Sequence, residues 1–385
     1  MAKLGEVCDI LNGYAFKSNQ YTTSGVRIIR ISNVQKGYIE DKSPVYYPCD
    51  DENVKKYELK QNDLLISLTG NVGRTALLEE KFLPAALNQR VSCVRLKEPD
   101  KVLKTYLFHL LNSDYFEQQC MKAAEGVAQK NLSPKWLFEY KIPIYSIERQ
   151  KEISNTLDKI DLLIILRKQQ LAKLDELVKA RFVEMFGTFP ANPFRWSIGK
   201  IQDVVSDVRY GSSRPAVEGG KYPYLRMNNI TYSGELDLRD TKRIDIPDSE
   251  LDKCTVRRGD VLFNRTNSKE LVGKTCVYNR DELMVLAGFV IRVRINERIR
   301  PEVLSAFLNM DFSKRMLIGM CKTAIGQANI NAKELQNIDL YIPPIELQDQ
   351  FVTLKNKIDQ QKQTVQQSLE KLELLKKALM QEYFG

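Results

Sequence analysis

The sequence predicts an α+β protein: two tandem domains, each an irregular β-sheet with helices, each followed by a long helix, the two long helices pairing as an antiparallel coiled coil. Three observations predict it. The chain repeats itself once, the first part of each repeat is rich in short β-type runs, and each repeat ends in a long stretch with helical apolar spacing.

The repeat is legible from short matches in a constant register. Met185-Phe186-Gly187 returns as Tyr383-Phe384-Gly385, so that Phe186 and Phe384 stand 198 residues apart. Lys60-Gln61-Asn62-Asp63-Leu64-Leu65 returns as Arg257-Arg258-Gly259-Asp260-Val261-Leu262, and Val72-Gly73-Arg74-Thr75 as Val272-Gly273-Lys274-Thr275. Gln129-Lys130-Asn131-Leu132 matches Gln327-Ala328-Asn329-Ile330. Ile142-Pro143 and Glu148-Arg149-Gln150 match Ile342-Pro343 and Glu346-Leu347-Gln348. A period this long far exceeds the 20–50 or so residues of solenoid units and is the size of a domain with its connector.

The β-rich parts alternate strand-type runs with turns. Val26 to Ile31, Val91 to Leu96, Val261 to Phe263 and Phe289 to Val293 are β-branched and aromatic, and Gly13, Gly25, Gly37, Gly70 and Gly73 punctuate the first copy. Helical patches at Val102–Leu111 and Pro301–Leu308 lie between them. The expected division is residues 1–146 for the first domain, 147–187 for its long helix, 188–344 for the second domain and 345–385 for the second long helix.

In the first long stretch apolar residues fall at Ile153, Leu157, Ile160, Ile164, Leu171, Leu174, Val178 and Met185. In the second they fall at Phe351, Leu354, Ile358, Val365, Leu369, Leu372, Leu375 and Leu379. Alternating three-and-four spacing is the seam of a helix packed on another helix. No Pro or Gly interrupts either stretch, so each predicts a rod of about 55 Å.

Composition narrows the functional classes. A 385-residue chain with 43% apolar residues builds ordinary cores. The longest apolar runs, such as Leu162 to Leu166, are far short of the roughly 20 residues of a membrane span, and the N-terminus lacks a signal-peptide core, so a cytoplasmic location is expected. Net charge is +9, shared as +4 over residues 1–187 and +5 over 188–385, which suits an anionic partner met by both halves. The seven cysteines (Cys8, Cys49, Cys93, Cys120, Cys254, Cys276, Cys321) include no CxxC pair, which predicts reduced, mostly buried thiols and no metal site.

No pattern in the sequence makes a complete catalytic centre. The single histidine, His109, sits in an apolar helical run without a partner in view, against Ser–His or Cys–His chemistry. Val272-Gly273-Lys274-Thr275 resembles the end of a phosphate-binding loop, but Ser268 stands where that loop needs glycine. Asn192-Pro193-Phe194 lacks a proline of the amino-methyltransferase motif, and no GxGxxG follows a strand. Asp63 with Glu79-Glu80-Lys81 has the bare elements of a metal–carboxylate–lysine centre, yet Asn279 replaces Glu79 in the second copy.

The loops are richer. The first copy offers Lys17, Arg30, Ser32, Asn33 and Lys36, then Ser67, Thr69, Asn71 and Arg74, then Asn88, Gln89 and Arg90. The second offers Tyr210, Ser212, Ser213 and Arg214, then Arg226, Asn228 and Asn229, then Asn264, Arg265, Thr266, Asn267 and Lys274. Arginine forks match guanine O6/N7, Asn and Gln match adenine N6/N7, and lysines and hydroxyls suit phosphates. The clusters recur at equivalent places while their residue types differ, as expected if each copy reads a different sequence on double-stranded DNA.

Taken together the chain resembles the specificity subunit of Type I restriction–modification systems. The resemblance rests on Gly13-Tyr14-Ala15-Phe16-Lys17-Ser18, on Asn62 to Ser67 through Gly70-Asn71-Val72-Gly73, on Leu87 to Val91, and on Asn131-Leu132-Ser133 leading to Ile142-Pro143-Ile144 and Glu148-Arg149-Gln150. Near Tyr210-Gly211-Ser212 the second copy departs from it. The resemblance implies two target-recognition domains, each reading one half of a split asymmetric target, and helices that set the gap. It implies no catalysis by this chain. Two methyltransferase subunits would dock on the helices that carry Ile153, Leu157, Ile160, Leu171, Leu174, Phe351, Ile358, Leu369 and Leu372. Two motor–endonuclease subunits would join where present, with S-adenosylmethionine, ATP and Mg belonging to these partners. A catalytic fusion and a DNA-independent scaffold stay open as alternatives at this point.

Overall fold

The structure is a computed structural model; it describes residues 1–124, 130–268, 271–324 and 327–385. Two compact units emerge: Met1–Lys168 with Gln367–Gly385, and Gln169–Gln366. The division falls inside both long helices, Ile147–Phe186 and Ile345–Phe384, so each unit contains part of both. Chain-contiguous domains, as the sequence suggests them, therefore differ from the compact units.

Unit 1 holds two four-stranded sheets. One runs in the order Cys8–Asn12, Val91–Leu96, Leu64–Ser67, Thr75–Leu77, all antiparallel. The other runs Tyr46–Tyr47, Val26–Ile29, Ala85–Leu87, Glu58–Leu59, with its central pair parallel. Unit 2 repeats both, strand for strand: Val205–Tyr210, Val290–Ile295, Val261–Asn264, Thr275–Val277, and Lys242–Ile244, Tyr222–Leu225, Met284–Leu286, Thr255–Val256, again with a parallel central pair. Strands such as Leu64–Ser67 and Val261–Asn264 are buried throughout, which explains why they read as unbroken apolar runs without alternation. A small sheet of Thr266–Asn267, Gln327–Asn329 and Lys322–Ala324 is added in unit 2.

Each unit closes on its share of the long helices. In unit 1, Ile153 and Leu157 join a core with Leu4, Leu107, Phe116, Met380 and Phe384. Asp161 pairs with Lys376, and Lys168 with Glu373 at 3.1 Å. In unit 2, Phe182 and Phe186 pack on Phe351 at ring separations of 5.6 and 5.4 Å, and Lys362 reaches Asp175 at 2.5 Å. Ascending numbers on one helix meet descending numbers on the other within each unit, so the helix segments run antiparallel.

This packing corrects the role given to the apolar stripe. Ile153, Leu157, Ile160, Phe351, Ile358 and Leu369 are buried inside the units, and Leu171, Leu174 and Leu372 are half-buried. The six buried ones pack inside the chain's own units, so a second subunit docking here would meet chiefly other side chains. Leu375, placed in the stripe by spacing, is 47% exposed. The apolar side chains that do face out are Leu162, Leu163, Ile165, Leu166, Leu374 and Leu375 in unit 1 and Leu177 in unit 2.

Entry to each long helix is pinned alike. The buried Gln150 amide accepts from Leu103 N and donates to Lys101 O and Tyr145 O. Gln348 accepts from Arg300 N and donates to Arg298 O and Pro343 O. One buried amide thus satisfies three backbone groups, which accounts for its recurrence in the repeat.

Candidate nucleic-acid interface

In unit 1 five chain segments converge on one rim. Arg74 Nη1 donates to Gln35 Oε1 at 2.6 Å, tying the turn after Leu64–Ser67 to the loop after Val26–Ile29. Leu68 N donates to Arg90 O, and Gln89 N to Tyr14 O, bringing in the turns at 88–90 and 13–17. Thr69 Oγ1 donates to Asn131 Oδ1 at 2.8 Å. Lys17, Ser32, Asn71, Gln89 and Arg90 are exposed there, and no hydrogen bond or ion pair holds the Arg90 guanidinium among the described residues.

Several sequence-chosen residues instead build this rim from inside. Asn33 is buried, its Oδ1 accepting from Arg30 N and its Nδ2 donating to Glu40 O and Asp41 Oδ1. Asn229 does the same for Arg226 N, Asp237 O and Asp240 O. Ser67 is fully buried, bonded to Asn71 O and Arg74 N; Thr69 and Asn88 are also buried, Asn88 accepting from Arg90 N. With these bonds made, Asn33, Asn229, Ser67 and Thr69 have no free donor–acceptor edge for a base and shape the loops instead. Lys36 is engaged by Asp114 at 2.5 Å and Glu117 at 2.7 Å, which hold its pKa above the usual value against the effect of burial. Arg30 Nη2 donates to Ser43 O.

Unit 2 makes the same frame with other side chains. Arg265 N donates to Phe289 O, and Ser212 N to Leu286 O. The Arg265 guanidinium lies 4.8 Å from the Tyr210 ring centre and donates through Nη2 to Asn329 Oδ1 at 3.0 Å. Ser213 and Asn228 are exposed. Arg214 is clamped by Glu250 at 2.8 Å, and Arg226 by Asp240 at 2.9 Å. Ser212, Asn264 and Thr266 are buried, with Ser212 Oγ accepting from Arg214 N. Of Asn267 only the backbone, paired with Ala328, falls among the described atoms; its side chain lies outside them.

Lys274 does not present a phosphate-binding amine. It is buried, donates to Met227 O at 2.9 Å, and burial lowers its pKa. Beside it Lys314, which sequence reasoning missed, donates to Gly273 O at 2.5 Å, and burial, aided by Lys179 and Lys274, pushes its pKa down to about 7. Asp63 is likewise structural: Arg95 grips it through Nε at 2.8 Å and Nη2 at 2.6 Å while Lys60 N donates to it, and Arg294, Arg257 N and Asp260 repeat the clamp. Glu79 is salt-bridged to Lys81. His109 does have a partner, Asp158 Oδ1 at 2.7 Å; its pKa is lowered, since burial outweighs that carboxylate. Among the described residues no group of three or more His, Cys, Asp or Glu could hold a metal ion, and no helix is long and apolar enough to cross a membrane.

Comparison with known proteins places this frame. The Type I restriction modification DNA specificity domain matches residues 1–176 and again residues 195–374. The chain belongs to that family. Its members recognise DNA and leave catalysis to other components, so this chain is a recognition subunit and not an enzyme. It is 22% identical over 378 residues to the Type I restriction enzyme EcoKI specificity subunit of Escherichia coli (strain K12), covering 91% of this chain and 80% of that one. It is 32% identical over 186 residues to the MjaVIII specificity subunit of Methanocaldococcus jannaschii, covering 46% and 43%. The fold matches the Type I restriction–modification S subunit of M. genitalium with a TM-score of 0.57 at 15% identity, over 100% of this chain and 95% of that one. A chain from a structure on complex assembly and conformational transition of the Type I system matches with a TM-score of 0.59 at 20% identity, over 100% and 96%.

Proposed function

We propose that this specificity subunit reads a bipartite, asymmetric target on double-stranded DNA, each unit addressing one half. One observation carries the reading: two units with the same strand order and the same rim hydrogen bonds present different side chains, Leu68 and Arg90 in one, Arg265 and Phe289 in the other. A shared frame with exchanged lettering is what two readers of different sequences need. The net charge of +9 suits the phosphate backbone.

Two methyltransferase subunits dock on the long helices, which also set the half-site spacing. The outward Leu162, Leu163, Ile165, Leu166, Leu374 and Leu375 supply apolar surface for docking. Methyl transfer then draws on S-adenosylmethionine in those partners, and ATP and Mg serve motor–endonuclease subunits where these are present. The complex works in the cytoplasm, where its DNA is. The test is methylome mapping of the host with and without the gene, alongside salt-titrated DNA binding by the assembled complex. A split methylation motif that vanishes on deletion is expected. An unchanged methylome would sink the reading.

A further inference from the structure

The rims of the two units can be compared residue by residue, because the same backbone contacts recur. Gly13 and Gly211 both lie with their Cα against two strand-end carbonyls, Leu87 and Asn88 in one unit, Leu286 and Ala287 in the other, where a Cβ would come within 2.5 Å of them. Tyr14 bridges to Asn88 as Ser212 bridges to Ala287. Leu68 N donates to Arg90 O at 2.9 Å as Arg265 N donates to Phe289 O at 3.0 Å.

Within this common frame arginine and an apolar residue have changed places. Unit 1 buries Leu68 and exposes Arg90; unit 2 puts Arg265 at the position of Leu68 and an exposed Phe289 at the position of Arg90. A further exchange accompanies it. Asn12, just before Gly13, becomes Tyr210, just before Gly211, and the Tyr210 ring lies beneath the Arg265 guanidinium. That ring is itself fixed, since Tyr210 Oη accepts from Ala332 N at 2.8 Å. Asn329 takes one edge of the fork through Oδ1, whereas its counterpart Asn131 is taken by Thr69.

We propose that Arg265 is the base-reading side chain of unit 2, pre-oriented by Tyr210 and Asn329 to address a guanine in the major groove, and that Arg90 reads from unit 1 without such a platform. The inference rests on the proposed function above and deepens it. A stacked guanidinium keeps its fork in one plane and gives up little rotamer freedom on binding, while an unsupported arginine gives up more. Arginine is also the side chain whose paired donors match O6 and N7 of guanine. Arg214 and Arg226 of the same unit are held by carboxylates, which lowers their standing as base readers.

The test selects preferred duplexes from a pool randomised across both half-sites, using the full chain assembled with its methyltransferase subunits. Arg265→Lys keeps the charge and removes the fork, Arg265→Ala removes both, and Tyr210→Leu removes the platform alone; thermal melting checks that each folds. In Arg265→Lys and Arg265→Ala, preference for guanine at one position of one half-site should fall by roughly 10- to 100-fold, with the other half unchanged. Tyr210→Leu should weaken the same position to a smaller extent. An unchanged motif in Arg265→Lys overturns the assignment. So does a uniform loss over all positions that lysine rescues, with the salt slope reduced by about one in Arg265→Ala, because that is the signature of a phosphate contact. A parent complex that selects no split motif would end the proposed function itself, a result separable from failure at Arg265 alone.

Discussion

At the scale of residues, burial decides what a polar side chain can do. Lys314 is a clear instance: Glu117 stands at its place in unit 1 and bonds Lys36, whereas Lys314 is enclosed against Gly273 O and near the Tyr232 ring. Its pKa falls from 10.5 to about 7 because burial, with Lys179 and Lys274 nearby, disfavours the ammonium. Between those two values the unfolded chain holds a proton that the folded chain has shed, so the stability of unit 2 rises with pH across that window and is lowest below it. Lys314→Met should therefore raise Tm by about 3–6 °C near pH ~6 and by little near pH ~10. A gain of equal size at both pH values in melting curves would refute the titration and leave only a packing effect.

At the scale of elements, one ion pair from a buried arginine knits a strand to its neighbour. Arg292, at the centre of Val290–Ile295, is fully buried and reaches Asp207 Oδ2 at 2.6 Å, Thr255 O at 2.5 Å and Asp252 O at 3.2 Å. The carboxylate sits where Val205–Tyr210 is bulged, and hydrogen bonds from Arg209 and Arg292 overcome burial to keep its pKa below the usual range. In unit 1 the same register position is Cys93, buried and uncharged, so the fold itself does not require an arginine there. Asp207→Ala should cost about 3 kcal/mol, because a charge is left enclosed without its counter-ion. Adding Arg292→Leu should recover part of that loss. Urea midpoints measure both; a single variant as stable as the parent would show that the three-way contact contributes nothing.

At the scale of the molecule, each unit owns its cores and its rim. Separate apolar clusters around Leu4, Tyr106 and Phe384 in unit 1 and around Phe263, Phe307 and Phe351 in unit 2 mean that neither sheet system borrows its interior from the other. Replacement of residues 197–344 by the matching domain of a relative should therefore alter one half of the methylation motif and leave the other half as it was. Sequencing the methylome of a strain with the chimaera checks this. If both halves changed together, one-domain-one-half-site reading would be wrong.

The fold class and the duplication are legible in the sequence, although the compact units divide inside the long helices. The 198-residue register, the Pro- and Gly-free apolar stripes and the β-type runs are local or periodic signals, and sheets, helices and duplication follow from them because side-chain periodicity reports which face is buried. The sequence also singled out loops that the fold brings together in each unit, since loops that recur with changed lettering are visible without coordinates. Which rim residues face outward was decided only by tertiary structure. Asn33 and Asn229 are as polar as Asn71 and Asn228, but their partners lie several residues away across a turn that only the folded chain closes. Lys274 is consumed by a carbonyl 47 residues distant, His109 by a carboxylate 49 residues distant, and Arg265 is set by an asparagine 64 residues distant. Hydrogen bonds satisfy buried polar groups through whatever the fold brings near, and composition and spacing hold no record of that choice.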